Sequence, residues 1–262
     1  MARFPADLRL IAVDLDGTLL NREKDISPRT LRALEACRSR GILLAFVTGR
    51  SEASARPYLE QLRPDAAALA YGAHILLRGE TVYRRCMAPE TATKVLRGAG
   101  EASRLRWQPP DGPFYQTDPG PGQQLLDRNA PILSRAEHLC AWDLPQKTAR
   151  ALAAEAGCAL SQAVGDRWCN FSARGVNKGA GMRRIMKLLG LAPGQAAAFG
   201  DESCDVDFFR VCGYGVALGN ADEITLAAAD EITESNDCDG VAVFLERRLG
   251  LYAPIYQMEG CK

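Results

Sequence analysis

The stretch Arg9 to Leu20, RLIAVDLDGTLL, constrains this chain more than any other. Leu10-Ile11-Ala12-Val13 is a short apolar run followed by a turn signal, which predicts a strand buried on both faces. Strands of that kind belong to parallel sheets covered by helices on either side, so the expectation is a doubly wound α/β fold. Asp14 and Asp16 follow at i, i+2, a spacing that leans both carboxylates the same way in extended chain, and Gly17 then supplies a residue free to turn sharply. Open α/β sheets carry their sites at the carboxyl ends of their strands.

Two like charges at the rim of an apolar layer repel, and each is driven toward protonation unless a cation compensates. A hard divalent ion such as Mg²⁺ suits oxygen ligands and often takes only one or two carboxylates, leaving room for a substrate phosphate. The competing reading is a surface turn, since Asp-Gly is common there. An EF-hand loop fits less well, because Thr18 and Leu19 stand where a ligand and a glycine are wanted.

The next segment completes a strand-helix-strand unit. Ser27 before Pro28, apolar Leu31, Leu34 and Cys37, and Gly41 predict the cap, buried face and stop of a helix. Ile42 to Val47 predicts a second, parallel strand ending in Thr48-Gly49-Arg50. Thr48 can donate to a phosphate oxygen through its hydroxyl, and the backbone N–H of Gly49 can approach one closely; the alternative is that this tripeptide only opens the next helix, Ser51 to Leu62. Ala66 to Ala70 predicts a third strand, and Ile75 to Leu77 with Thr81 to Tyr83 a hairpin.

From about Arg84 to Gly175 the texture changes. Helical stretches (Glu90 to Ala102, Gln146 to Gly157) alternate with proline-bearing segments, which predicts an inserted second domain. Trp107, Phe114, Tyr115, Trp142 and Trp168 fall within it and are expected mainly to build its core, with a substrate pocket as the alternative. Regular rhythm resumes with a helix from Gly179 to Leu189, ended by Gly190, and Lys178 at its start stands where an anion is favoured. A strand at Ala196 to Phe199 then runs into Gly200-Asp201-Glu202-Ser203-Cys204-Asp205 and a helix through Phe208 and Phe209, and helix capping would also account for Asp201 or Asp205. Short strands at Gly215 to Leu218 and Glu231 to Thr233 and a helix from Gly240 to Leu249 close the pattern.

Lys plus Arg equals Asp plus Glu at 32 each in 262 residues, so nothing draws the chain as a whole to nucleic acid or to an anionic membrane. Without an apolar run of span length or a leader before the first strand, a cytoplasmic location is expected. The nine cysteines are odd in number and scattered without a C-x-x-C pair, the pattern of reduced thiols rather than a disulfide framework or a zinc site. His74 and His138, the two histidines, are expected to be structural.

Taken in order, DLDGTLL, TGR, NKG and GDESCD resemble the four motifs of the haloacid dehalogenase superfamily, and the tail GVALGNADEITLAAADEITESNDCDGVA is similar to that of its Cof-type members. The resemblance implies a Rossmann-like core, residues 1–83 and 176–262, with an α/β cap, residues 84–175, inserted between the second and third motifs. It implies a Mg²⁺-dependent phosphatase acting on small phosphorylated metabolites such as sugar or cofactor phosphates. In that family reading Asp14 is the nucleophile that forms an aspartyl-phosphate, and Asp16 is the acid and then the base. Asp14, the backbone carbonyl of Asp16 and Asp201 hold Mg²⁺ with support from Asp205, while Thr48, Gly49 and Lys178 hold the phosphate. An acid at Asp16 favours phosphate chemistry over dehalogenation. Relatives usually carry Asn where this chain has Cys204 and Tyr71, and a catalytically silent module that binds a phosphorylated ligand is the alternative function that pair suggests.

Overall fold

Short apolar runs become the middle of a sheet because only there are both of their faces covered. In the computed structural model, which describes residues 4–121, 124–162 and 167–251, all four residues of β1 (Leu10–Val13) are buried. Beside it lie β2 (Leu43–Val47) and β3 (Ala66–Leu69), reached through α1 (Pro28–Ser39) and α2 (Glu52–Leu62). Ser27 caps α1 by accepting from the Thr30 backbone N–H, with Pro28 at its first position. The predicted hairpin is present as β4 (His74–Leu77) and β5 (Glu80–Arg84), turning at Arg78 and Gly79, which both have positive φ.

The chain then leaves this sheet. A second body holds α3 (Pro89–Gly98), β6 (Arg104–Gln108), β7 (Tyr115–Gln116), β8 (Gln124–Leu125), β9 (His138–Trp142), α4 (Gln146–Ala156), β10 (Ala159–Ser161) and β11 (Trp168–Ser172). Its sheet runs β10-β11-β9-β6-β7-β8. One face, through Leu105, Leu139, Ala141 and Phe171, packs with α3 and α4 into a core of its own. Helix α3 stops at Gly98, short of the expected Ala102, because Ala99 turns the chain and accepts the Ala102 N–H.

The chain re-enters the first sheet with α5 (Lys178–Leu189), β12 (Ala196–Gly200), α6 (Val206–Cys212), β13 (Gly215–Ala217), α7 (Glu223–Ala228), β14 (Glu231–Ile232) and α8 (Gly240–Leu249). The completed order is β14-β13-β12-β1-β2-β3-β4-β5, parallel from β14 through β3, with the antiparallel hairpin at one edge. Alternate residues point to opposite sides. Ile11 and Val13 pack with α1, α2 and α8 through Leu34, Ala55 and Phe244, whereas Leu10 and Ala12 pack with α5 and α6 through Ile185 and Phe208. The architecture is therefore α/β, doubly wound.

Seven cysteines are free thiols; Cys238 is disulfide-bonded, which departs from the expectation that all are reduced, and Cys261 lies outside the described residues. No helix among the described residues is long and apolar enough to cross a membrane.

Candidate active site

Strand β1 is flanked by β12 on one side and β2 on the other, with Val13 opposite Phe199 and Phe46. All three strands run the same way, so whatever follows each is delivered to one rim: Asp14 after β1, Thr48 and Gly49 after β2, Asp201 after β12. The backbone N–H of Asp14 donates to Phe199 O (3.0 Å), extending the ladder by one rung and fixing Asp14 beside Gly200.

Asp14, Asp201 and Asp205 each place a carboxylate oxygen within 4.8 Å of the others. Asp205 is fully buried, and its Oδ2 accepts the backbone N–H groups of Asp201 and Glu202 (3.0 Å each), which folds a 3₁₀ turn over Ser203 to Asp205. Its Oδ1 accepts from Lys178 Nζ at 2.5 Å, and the same ammonium stands 2.9 Å from Asp14 Oδ1. Lys178 opens α5, where Asn177 caps the helix by accepting the Ala180 N–H (2.6 Å). Asp201 is held from the far side by the Thr18 hydroxyl (2.6 Å). Two glycines permit this crowding. A Cβ on Gly17, which has φ +76°, would stand 2.1 Å from Asp201 Oδ2, and one on Gly200 would stand 2.5 Å from the Asp205 side chain.

The electrostatics follow from burial. Desolvation drives Asp14 well above the usual carboxylate range; Lys178 opposes this, while Asp205 and Asp201 add to it. Asp201 is raised to about 7 by burial and by the charge of Asp205. Burial also works against the Lys178 ammonium, but Asp14 and Asp205 outweigh it and hold the proton on. Three carboxylates against one ammonium leave a formal deficit of two positive charges, the charge of one hard divalent cation, and clustered carboxylate oxygens are the donors such a cation takes. The residues present therefore fit a divalent metal.

Asp16 is placed differently. Its carboxylate lies outside the trio and receives Arg50 Nε (2.6 Å), Arg50 Nη2 (2.7 Å) and Lys24 Nζ (2.9 Å). Burial acts to raise its pKa, but these cations prevail and hold it at about 2. Thr48 is buried, and with Gly49 and Asp16 it lines the cavity of about 510 Å³ that also contains Asp14 and Lys178. A larger hollow of about 670 Å³, beside α2 and β3 and bordered by Arg38, Arg56, Arg63 and Arg78, contains none of the acid trio. The smaller cavity is the candidate because the buried Asp14 carboxylate and the buried Lys178 ammonium meet there.

Tyr71 lies on the wall. Its φ of +57° and ψ of +26° put it in the left-handed region, where Asn is better tolerated than Tyr, and its ring packs so closely on Gly49 that a Cβ there would be 2.5 Å from Cζ. The thiol of Cys204 reaches Glu202 Oε2 at 3.5 Å and Asp205 Oδ1 at 3.9 Å.

Several participants escape a reading by motif. Thr18 is visible only as part of DLDGT. Asn220 donates to Gly17 O (2.8 Å) and reaches Asp201 Oδ2 (3.5 Å), and Asp222 accepts the Ser203 and Thr225 N–H groups at 2.7 Å each. The Gly-Asn-Ala-Asp that follows β13 was their one signal. From the second body, β6 and β9 present Arg106, Gln108, His138 and Trp142 to the cavity. His138 is thus a cavity residue rather than a purely structural one. The aromatic residues divide: Trp107 and Tyr115 stack at 4.8 Å against the second core, Phe114 and Trp142 line the cavity, and Trp168 does both.

A family model described as haloacid dehalogenase-like hydrolase matches residues 11–106 and 146–245. The chain is 26% identical to pyridoxal phosphate phosphatase YbhA of Escherichia coli (strain K12), over 92% of this chain and 98% of that one. It is 29% identical to HMP-PP phosphatase of Klebsiella pneumoniae (strain 342), over 90% and 93%. The fold superposes on that of a haloacid dehalogenase subclass IIB sugar phosphatase with a TM-score of 0.82 at 19% identity, covering 93% of this chain and 100% of the other.

Proposed function

The chain belongs to the haloacid dehalogenase-like hydrolases, and from that premise we propose that it is a Mg²⁺-dependent phosphatase of small phosphorylated metabolites that works through an aspartyl-phosphate. The second body, residues 84–175, is the cap that closes over the core site, residues 1–83 and 176–262. The observation that carries this reading is the cluster of Asp14, Asp201 and Asp205, two of them paired with the buried Lys178, with Asp14 and Lys178 lining a cavity that both bodies share. The similar proteins whose names describe phosphatases support it.

Asp14 and Asp201, with the backbone carbonyl of Asp16, would hold Mg²⁺, and Asp205 would fix their loop through the N–H groups of Asp201 and Glu202. The chemistry such an ion supplies when bound is neutralisation of charge between a carboxylate and a phosphate. Lys178, Thr48 and Gly49 bind and orient the phosphate oxygens, and Lys178 offsets the negative charge that gathers as the phosphoryl group moves. A carboxylate oxygen of Asp14 bonds to phosphorus as the ester O–P bond breaks, and the departing oxygen takes a proton from Asp16. Water then bonds to the same phosphorus and gives its proton to Asp16 as the Asp14 O–P bond breaks. Asp16, held ionised by Arg50 and Lys24, is poised for that second step. For the first step it must carry a proton, and the arriving phosphate competes with it for those two cations.

The test is hydrolysis of an aryl phosphate with Mg²⁺, together with rapid acid quenching to trap phosphate on Asp14. Turnover is expected to vanish in Asp14→Asn. Unchanged turnover in that variant overturns the nucleophile assignment, and saturable binding with no release of phosphate from a broad metabolite panel would make the site a sensor.

A further inference from the structure

The face of the second sheet turned away from its own core lines the cavity. Register sets Arg106 opposite Cys140 and Cys140 opposite Asn170; the next row sets Arg104 opposite Trp142 and Trp142 opposite Trp168. Because side chains alternate across a strand, these residues share one face. That face meets the catalytic floor across the cavity.

Arg104 and Arg106 on that face both have an Nε without a hydrogen-bond partner; Arg104 lies 4.3 Å over the Trp142 ring, and Arg106 lines the cavity. Arg106 is half-buried, and its one side-chain bond is a long 3.4 Å contact from Nη2 to Gln116. Among the described residues no carboxylate pairs with it. Its guanidinium lies 4.4 Å over the Phe114 ring and 5.3 Å from that of Trp142, so both flanks are apolar. A desolvated cation with an unmet donor is costly unless an acceptor arrives, and a guanidinium fork matches a carboxylate or another planar anionic acceptor. Beside it His138 is 6% exposed with Nδ1 unpartnered, and burial and Arg106 hold that ring neutral, its pKa at about 4. The cap wall also carries Gln108 and Cys140 and three aromatic rings, Phe114, Trp142 and Trp168, the last 6.3 Å from Tyr71 of the core. Flat rings suit a flat ligand.

Resting on the phosphatase reading, we propose that the cap selects phosphomonoesters whose leaving group is a planar aromatic ring bearing an anionic acceptor, with Arg106 binding the anion and Trp142 and Trp168 flanking the ring. Arg106 is a specificity-determining residue on the cap side of the cavity. Its removal takes away discrimination rather than chemistry.

The experiment compares kcat/KM for 4-carboxyphenyl phosphate, phenyl phosphate and glycerol 3-phosphate, in the unmodified protein and in Arg106→Met and Arg106→Lys. The unmodified protein is expected to prefer the carboxylate over phenyl phosphate by roughly tenfold to hundredfold, and phenyl phosphate over the polyol ester. Arg106→Met should abolish the first preference, and Arg106→Lys should keep part of it. A polyol ester turned over as well as the aryl esters, or a carboxylate preference that survives in Arg106→Met, overturns the proposal; because the ligand comparison is made first in the unmodified protein, a variant that does not fold cannot shelter it. Quenching of tryptophan fluorescence by the same esters reads binding without turnover. Carboxylate-dependent quenching without hydrolysis would leave the subsite standing and remove the phosphatase reading, and hydrolysis without discrimination would do the reverse.

Discussion

The ammonium of Lys178 is shared between Asp205 and Asp14, at 2.5 and 2.9 Å, and all three side chains are buried. Asp205 thus joins α5 to the loop after β12, since its other oxygen takes two backbone N–H groups of that loop. Replacing it with Ala leaves those donors unmet and half of the Lys178 charge uncompensated. Asp205→Ala should lose about 3 to 5 kcal/mol of stability, measured by urea denaturation, and Asp205→Asn, which retains the acceptor oxygen, should lose less.

Arg50 and Lys24 together keep the Asp16 carboxyl at about 2 against the effect of burial. Removing the Arg50 fork in Arg50→Met should move the Asp16 pKa upward, by about one unit. The acidic limb of the pH profile for hydrolysis of the aspartyl-phosphate, the step that uses Asp16 as a base, is expected to move the same way, and a limb that stays in place would detach Asp16 from that titration.

Gly17 tests whether the close approach of Asp201 to the first motif serves metal binding. In Gly17→Ala the new methyl meets both a positive φ and Asp201 Oδ2. Asp201 must swing away, so the Mg²⁺ concentration for half-maximal activity should rise by about tenfold or more. Thermal unfolding gives a second reading: Mg²⁺ is expected to raise the Tm of the unmodified protein and to have little effect on Asp201→Asn.

Where the second body meets the core, Glu137 is 2% exposed, 3.2 Å from Arg84 and 3.6 Å from His74, with Glu52 and Asp111 adding negative charge nearby. Burial outweighs Arg84 and raises Glu137 to about 7, while His74, at about 4, stays neutral. Since the folded pKa lies above the unfolded one, the unfolded chain gives up this proton first, and stability falls as pH rises between about 4.5 and 7. Glu137→Gln should therefore match the unmodified protein at pH 5 and exceed it at pH 8 by on the order of 1–3 kcal/mol, read by denaturation at both values.

Much of the core was legible because local signals coincide with tertiary needs. The Ser27-Pro28 start, the Gly190 stop and the continuous apolar runs at Leu10 and Ala196 each lie within a residue or two of the structural boundary. What escaped depends on long-range pairing. Asp201 and Asp205 were visible as acids, but that Asp205 turns back onto two N–H groups is a property of a 3₁₀ turn no periodicity marks. The aromatic residues show the same limit: Arg106 and Trp107 are neighbours on β6, yet one faces the cavity and the other the apolar side. Which parity points inward is set by register with β9, and a shift of one residue would exchange them.

The pairing of β1 with both β2 and β12 has a consequence for synthesis. Val13 finds Phe46 after about thirty further residues, but Phe199 only when most of the chain has been made. Until then the nascent sheet offers the ribosome's surroundings an unsatisfied apolar edge along Leu10 to Val13, the kind of border that recruits stray strands. Truncation before β12 should accordingly yield an aggregating fragment, and the delay between the two pairings makes this border the place where a chaperone has most to guard.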